Sequence, residues 1–224
     1  TGGNFEAVTR SGTATTTVTD DADATTVTIT ASTANVAEGG SITYTASVNN
    51  AVTGTPLAIT LSNGQTITIP VGQSSATSAV FAVRADDAYA QGTQTLNVGI
   101  SSISGGNYEA LTTTSTASTT VTDDADATTV TISTATATVT EGGSIVYTAT
   151  TSNPVTGSAL VVTLSNGQTI TIPVGQSSAN SAPWAVRGDD AYAQGTQTLN
   201  VTATGTTGGN FEAVTRSGTA TTTV

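Results

Sequence analysis

Every residue from Asp20 to Val121 has a counterpart 103 positions later, between Asp123 and Val224, with no insertion or deletion and 72 of 102 positions identical. Such a repeat constrains the fold more than any local motif, because one architecture must suit both copies. A unit of about 100 residues is far longer than a solenoid repeat and matches a domain with its own core. Thr1–Val18 is identical to Thr207–Val224, so the sequence opens and closes inside the repeat and reads as a piece of a longer tandem array. The expected organisation is the last strand of a preceding truncated repeat in residues 1–18, then one repeat in 19–121 and another in 122–224. The first segment, lacking its own domain, is expected to be loosely ordered or to pair with another molecule's sheet. In a shifted phase Thr207–Val224 is the orphan instead.

Period-2 alternation runs through each repeat and no helical period appears. Val27 and Ile29 share a face in T-T-V-T-I-T, as do Ile42, Tyr44, Ala46 and Val48. Leu57, Ile59 and Leu61 alternate, then Asn63-Gly64 intervenes, then Ile67, Ile69 and Val71 alternate. Asn-Gly between two such runs predicts a hairpin with a type I′ turn. Phe81 and Val83 mark the next strand, Leu96, Val98 and Ile100 another, and Thr112–Val121 the last. The expected fold class is all-β, with tandem immunoglobulin-like β-sandwich domains of about seven strands each. Tyr89 and Tyr192 precede the sixth strand, where a tyrosine corner and ordinary packing are equal alternatives. Strand propensity also accounts for the threonine-rich stretch Thr13–Thr19 more cheaply than a flat ice-binding array does.

Charge is scarce and confined. All 15 carboxylates fall at recurring positions, in a chain with four arginines, no lysine and no histidine. Asp20, Asp21, Asp23, Glu38, Asp86, Asp87 and Glu109 return as Asp123, Asp124, Asp126, Glu141, Asp189, Asp190 and Glu212, and Glu6 precedes Glu109 by one period. Strand parity gives these acids a geography. The loop with Glu38, the loop with Asp86 and Asp87, and the end of the last strand at Asp123, Asp124 and Asp126 all lie at one pole. Glu109 lies at the other pole, so Glu212 of the second repeat faces the same linker from beyond it. Only the central junction receives a full complement; the acids at either end are half-sites, expected to be weaker or empty.

Unit charges 4 Å apart repel by about 1 kcal/mol even with the screening of bulk water. Converging carboxylates therefore need cations. Oxygen ligands without histidine or cysteine point to Ca²⁺, which takes six to eight oxygens, more than to magnesium. The absence of cysteine also removes the disulfide staple of small extracellular domains, leaving a metal as the alternative. The candidate metal residues are all those named above except Glu6. The bland alternative is that the aspartates cap turns. Glu109 and Glu212 stand at even odds between ligand and local amide acceptor. Arg84 and Arg187, beside the aspartate pairs, read as structural partners of acids.

The ordered motifs E-G-G-S-I-T-Y, R-A-D-D-A-Y-A-Q-G-T-Q-T-L and G-G-N-F-E-A…T-A-T-T-T-V-T-D-D-A-D together resemble Calx-β-like immunoglobulin repeats. More specifically, the chain is similar throughout to the extender repeats of giant RTX adhesins of Gram-negative bacteria, the LapA-type biofilm adhesins. That resemblance implies calcium-rigidified spacers, secreted by a type I pathway and held extracellularly at the cell surface, that project a binding tip for adhesion and biofilm formation. It maps the family's calcium ligands onto Glu38, Asp86, Asp87 and Asp123–Asp126, and onto Glu141, Asp189 and Asp190. Implied partners are neighbouring repeats of the same chain, in a monomeric array with possible strand exchange through the terminal copies. The chain lacks the glycine- and aspartate-rich nonapeptide repeats of RTX proteins.

A net charge of −11 argues against nucleic-acid binding, and no stretch is apolar enough for membrane insertion as a helix. An adhesive module that itself binds glycan or a cell-surface ligand is the second reading; it calls for an exposed aromatic cluster. An enzyme is a distant third, because identical sites repeated without a cleft suit no glycosidase. No catalytic residue is expected.

Overall fold

A computed structural model of the chain describes residues 3–224 and contains strands, turns and loops but no helix. Thr1 and Gly2, the start of the expected orphan strand, lie outside the described residues. The first module contains β1 (Ala24–Ala31), β2 (Asn35–Ala37), β3 (Ser41–Ile42), β4 (Tyr44–Val48), β5 (Leu57–Leu61), β6 (Thr66–Ile69), β7 (Ser75–Thr77), β8 (Phe81–Ala82), β9 (Gln94–Ser104), β10 (Ala110–Thr112) and β11 (Thr116–Thr122). One sheet has the order β10-β1-β4-β7 and the other β2-β11-β9-β5-β6, with β3 paired to β8. This is an immunoglobulin-like sandwich.

Alternation explains the layers. Val27 and Ile29 of β1, Tyr44, Ala46 and Val48 of β4, and Leu57, Ile59 and Leu61 of β5 are all buried, as are Ile67 and Ile69 of β6. Fully burying such a side chain is worth roughly 1.5–3 kcal/mol. Val71, expected to continue that face, lies beyond β6 and is exposed. The second module has its own core, built from Val130, Ile132, Tyr147, Leu160, Val162 and their neighbours, and the two cores share no residue.

Both the first and the last strand divide between the two sheets, which a single run of alternation does not reveal. β1 pairs with β4, and β2 then crosses to run parallel to β11. Thr33 makes the bend: its hydroxyl donates to the Asn35 carbonyl and accepts from the Asn35 amide. Likewise β10 lies parallel to β1 before β11 joins β9. Between them, the Ser115 hydroxyl bonds both the amide and the carbonyl of Ile29, replacing the ladder where the strand leaves.

The Asn63-Gly64 hairpin is present but its turn is not type I′. Among the described residues no non-glycine has a positive φ, so Asn63 does not, and in this turn Gly64 alone does, at φ +87°. The Gly64 amide donates to the Leu61 carbonyl, and the Leu61 amide donates to the Gln65 carbonyl. That is a three-residue loop, a type I turn closed by a left-handed glycine. The Asn63 side chain accepts from the Gln65 amide, which gives asparagine its reason to be there.

The second module repeats the plan with β12 (Ala127–Thr134), β13 (Ser144–Ile145), β14 (Tyr147–Thr151), β15 (Leu160–Leu164), β16 (Thr169–Ile172), β17 (Ser178–Asn180), β18 (Trp184–Ala185), β19 (Thr198–Val201), β20 (Ala203–Thr207), β21 (Ala213–Ser217) and β22 (Ala220–Thr223). Here β21 pairs with β12 and β22 with β19, so Thr207–Val224 packs within this module. The identical sequence near the start behaves differently. Residues 3–23 carry no strand and are exposed throughout, including Thr13–Thr19, because no neighbouring strand completes a sheet around them.

Candidate metal centre at the inter-module junction

The junction is built where three segments of the first module end. Glu38 follows β2, and its amide donates to the carbonyl of Thr122 at the end of β11, 3.0 Å away. The next residue is glycine for a steric reason: Gly39 takes φ +69°, and a Cβ there would lie 2.7 Å from Cβ of Asp86. The E-G-G sequence thus lets the Asp86 loop close onto Glu38. Four residues, Asp123–Asp126, then connect β11 to β12.

Three overlapping groups of acids result: Glu38 with Asp86 and Asp124; Glu38 with Asp123 and Glu212; and Asp124 with Asp126 and Glu212. In each, one carboxylate oxygen per residue lies within 4.8 Å of the others. An ion held at 2.3–2.6 Å can join oxygens up to about 5 Å apart, the span of a calcium site. Two of the oxygens are buried and have no protein partner. Glu38 is 4% exposed, its Oε2 accepts from Arg84 Nε at 2.7 Å, and its Oε1 is buried without a hydrogen bond. Glu212 Oε2 accepts from the Asp126 amide at 2.7 Å, while its Oε1 is likewise buried and unpaired. A buried, unpaired carboxylate oxygen is costly. The donor set therefore fits a hard cation.

The electrostatics agree. The charge of Asp126, then burial and the charges of Asp124, Glu38 and Asp87, hold the Asp86 carboxyl above its ordinary pKa. For Glu212 the hydrogen bond from the Asp126 amide lowers the pKa, but burial, the nearby Glu38 carboxylate and the charge of Asp124 together raise it.

Other candidates fall outside these groups. Asp87 caps its own loop: Oδ1 accepts from the Tyr89 amide and Oδ2 from the Gln91 side chain. Asp190 does the same with Tyr192 and Gln194. Turn-capping thus accounts for this one aspartate position. At the N-terminal pole Glu109 accepts from the Asp23 amide at 2.6 Å, mirroring Glu212 and Asp126, while Asp20 and Asp21 are exposed and join no group. At the far pole of the second module, Glu141 and Asp189 gather with Arg187 but no third acid joins them.

One part of the junction was not read from the sequence. Tyr89 is no tyrosine corner: its ring stacks on Phe211 of the second module, with centroids 5.7 Å apart and planes 25° from parallel. Its hydroxyl donates to the Pro154 carbonyl, and the Ala90 amide donates to the Asn210 carbonyl. Asn210 Nδ2 returns a bond to the Ala90 carbonyl. The available signal was a loop, D-D-A-Y-A-Q-G-T, kept letter for letter in both repeats while neighbouring strands diverge. Tyr192, its copy, is 77% exposed.

The model of the LapA domain matches residues 23–124 and again 126–224. The chain belongs to the LapA domain family. Among solved structures it is similar to FdeC, an Escherichia coli adhesin, at 22% identity over 88% of this chain and 62% of that one, with a TM-score of 0.28. It is also similar to a tetra-tandem repeat from the extending region of a large adhesion protein, at 17% identity over 89% of this chain and 48% of that one, TM-score 0.34. The adhesin InvE of Yersinia pseudotuberculosis matches at 17% identity over 88% and 58%, TM-score 0.31. This LapA-domain chain therefore spans about half to three-fifths of those solved chains. No curated protein matches it.

Proposed function

We propose that the chain is a pair of calcium-rigidified spacer modules from a large repetitive adhesin of the Gram-negative cell surface, with boundaries near residues 19–121 and 122–224. In this reading the modules bind no ligand of their own and catalyse nothing; they add stiff length beneath a tip that adheres. The observation that carries it is the pair of buried, unpaired oxygens, Glu38 Oε1 and Glu212 Oε1, which come from different modules and meet in one acid group. An ion bridging them makes one body of two. Glu38, Asp86, Asp124, Asp126 and Glu212 are the ligands with oxygens to spare.

Each residue has a defined part. Glu38 would hold the ion from inside the first sandwich, Glu212 from the second, and Asp124 and Asp126 from the linker between them. Calcium supplies the positive charge that offsets their repulsion and a coordination shell that spans the gap. Small-angle scattering with calcium and after chelation tests the proposal. The maximum dimension and its spread should change on chelation, and identical curves would reject a calcium-set junction.

A further inference from the structure

We propose that Asp123 is a positioning residue of the junction and not one of its calcium ligands. With Arg84 it forms a latch that seats the 84–92 loop and aims Glu38 and Asp86 at the acid group before any divalent ion arrives. The ligand half of this assignment rests on the calcium reading above; the latch half does not.

The Asp123 carboxylate is already occupied by donors. Oδ2 accepts from the amides of Gln91 and Gly92, at 2.7 and 2.6 Å, and Oδ1 pairs with the Arg84 guanidinium. Arg84 also holds Glu38 through Nε at 2.7 Å and the Gly92 carbonyl through Nη1 at 2.7 Å. One arginine therefore ties the residue after β2, the 84–92 loop and the first linker residue together. A divalent ion at the Asp123 oxygens would face a full positive charge and two N–H dipoles. At Glu38 Oε1 and Glu212 Oε1 it faces no donor. Although Asp123 lies close enough to Glu38 and Glu212 to be grouped with them, three of its roughly four lone-pair sites already face hydrogens. Charge-assisted bonds of this kind are roughly twice as strong as neutral ones.

The second module supplies the comparison. Its same walls, Glu141, Arg187, Gly195, Thr196 and Val224, line an open cavity of about 530 Å³. They are the counterparts of Glu38, Arg84, Gly92, Thr93 and Val121, around which Asp123 sits in the first module. Arg187 keeps its bond to the Gly195 carbonyl, yet its Nε stands 3.4 Å from Glu141 and has no hydrogen-bond partner. The Arg–Glu pair also opens to solvent, from 14% and 0% exposed side chains to 24% and 27%. The arginine and glutamate stand closer in the first module, where Asp123 bonds the same guanidinium, than in the second.

The test compares Asp123→Asn with Asp124→Asn in the full chain, by calorimetric melting in EDTA and by isothermal titration with calcium chloride. Asparagine keeps the shape of aspartate, so Asp123→Asn should fold. Its first-module transition in EDTA should fall by roughly 4–8 °C. Calcium stoichiometry should stay at the wild-type value, with affinity about 10- to 100-fold weaker, as for a group that orients ligands. Asp124→Asn should lose bound calcium and show no fall in its melting temperature in EDTA, because one of the repelling charges is gone. An unchanged EDTA transition in Asp123→Asn overturns the latch, and a lost calcium equivalent in that variant overturns its exclusion as a ligand. If the wild type binds no calcium, the calcium reading fails while the EDTA arm still decides the latch.

Discussion

The same residues occur in two settings, at the pole of the first module that meets a neighbour and at the corresponding pole of the second. At the first, Glu38 is sealed from solvent, Arg84 bridges two acids, and Asp86 lies within reach of Asp124. At the second, Glu141 and Arg187 are a loose, quarter-exposed pair beside an open cavity, and Tyr192 projects into solvent. Sequence identity at the E-G-G and R-x-D-D-A-Y segments does not make a site. The linker and the G-G-N-F-E loop of the second module add Asp124, Asp126 and Glu212 to Glu38 and Asp86, and bring the ring on which Tyr89 stacks.

The largest contrast should come from Glu38. Removing it in Glu38→Ala takes one of two acid partners from Arg84, a mostly buried cation, and with it a charge-assisted bond worth about 1.5–3 kcal/mol. Glu141→Ala breaks a looser, quarter-exposed pair and should cost less, about 1 kcal/mol. Chemical denaturation with each module's transition followed separately should show that ratio; equal losses would erase the difference between the poles.

Calcium comes next. Chelation should lower the melting temperature of the wild type. A protein carrying Asp124→Asn and Glu212→Gln together should lose most of that dependence, whereas Asp189→Asn should leave it intact. A chelation shift that survives in the double variant would place the ions elsewhere.

A smaller effect should separate the tyrosines. Tyr89→Ala removes an aromatic stack worth about 0.5–1.5 kcal/mol and the bond to Pro154, so the spread of inter-module angles should widen even in calcium. Tyr192→Ala should change neither melting nor scattering. Scattering profiles of the two variants, measured side by side, check this.

Proton linkage gives the smallest signal. The folded-state pKa values of Asp86 and Glu212 are raised, so protonation favours the folded junction. In chelator, stability should rise as pH falls from neutral through those raised values, and the gain should end below the ordinary carboxylate pKa near about 4. With calcium the ions compete with protons, so the stabilisation they add should shrink over the same range. Melting curves with and without calcium should converge on acidification; parallel curves would disconnect these carboxyls from the ion.

The sandwich itself was legible in the chain. Alternation placed Val27, Ile29, Tyr44, Leu57 and Ile67 on buried faces, and strand parity placed Glu38, Asp86 and Asp124 at one pole with Glu212 opposite. Both follow from the two-residue period of a strand, a local property that survives without knowledge of neighbours. The turn at Asn63-Gly64 was read as a hairpin but with the wrong geometry, because a two-residue and a three-residue loop use the same letters. The division of the first and last strands between sheets was not visible either, since β-pairing is settled by distant partners.

Within the acid cluster, the sequence by itself could say only that carboxylates gather and need a counter-charge. Which of them are left without a donor and which are already satisfied was decided by tertiary structure. Asp87, Asp123 and Asp124 are chemically identical side chains, yet one caps its own loop, one meets an arginine and two amides, and one lies free beside Glu38 and Glu212. The distinction rests on where N–H groups point, and those directions exist only once the loops of two modules have been folded against each other.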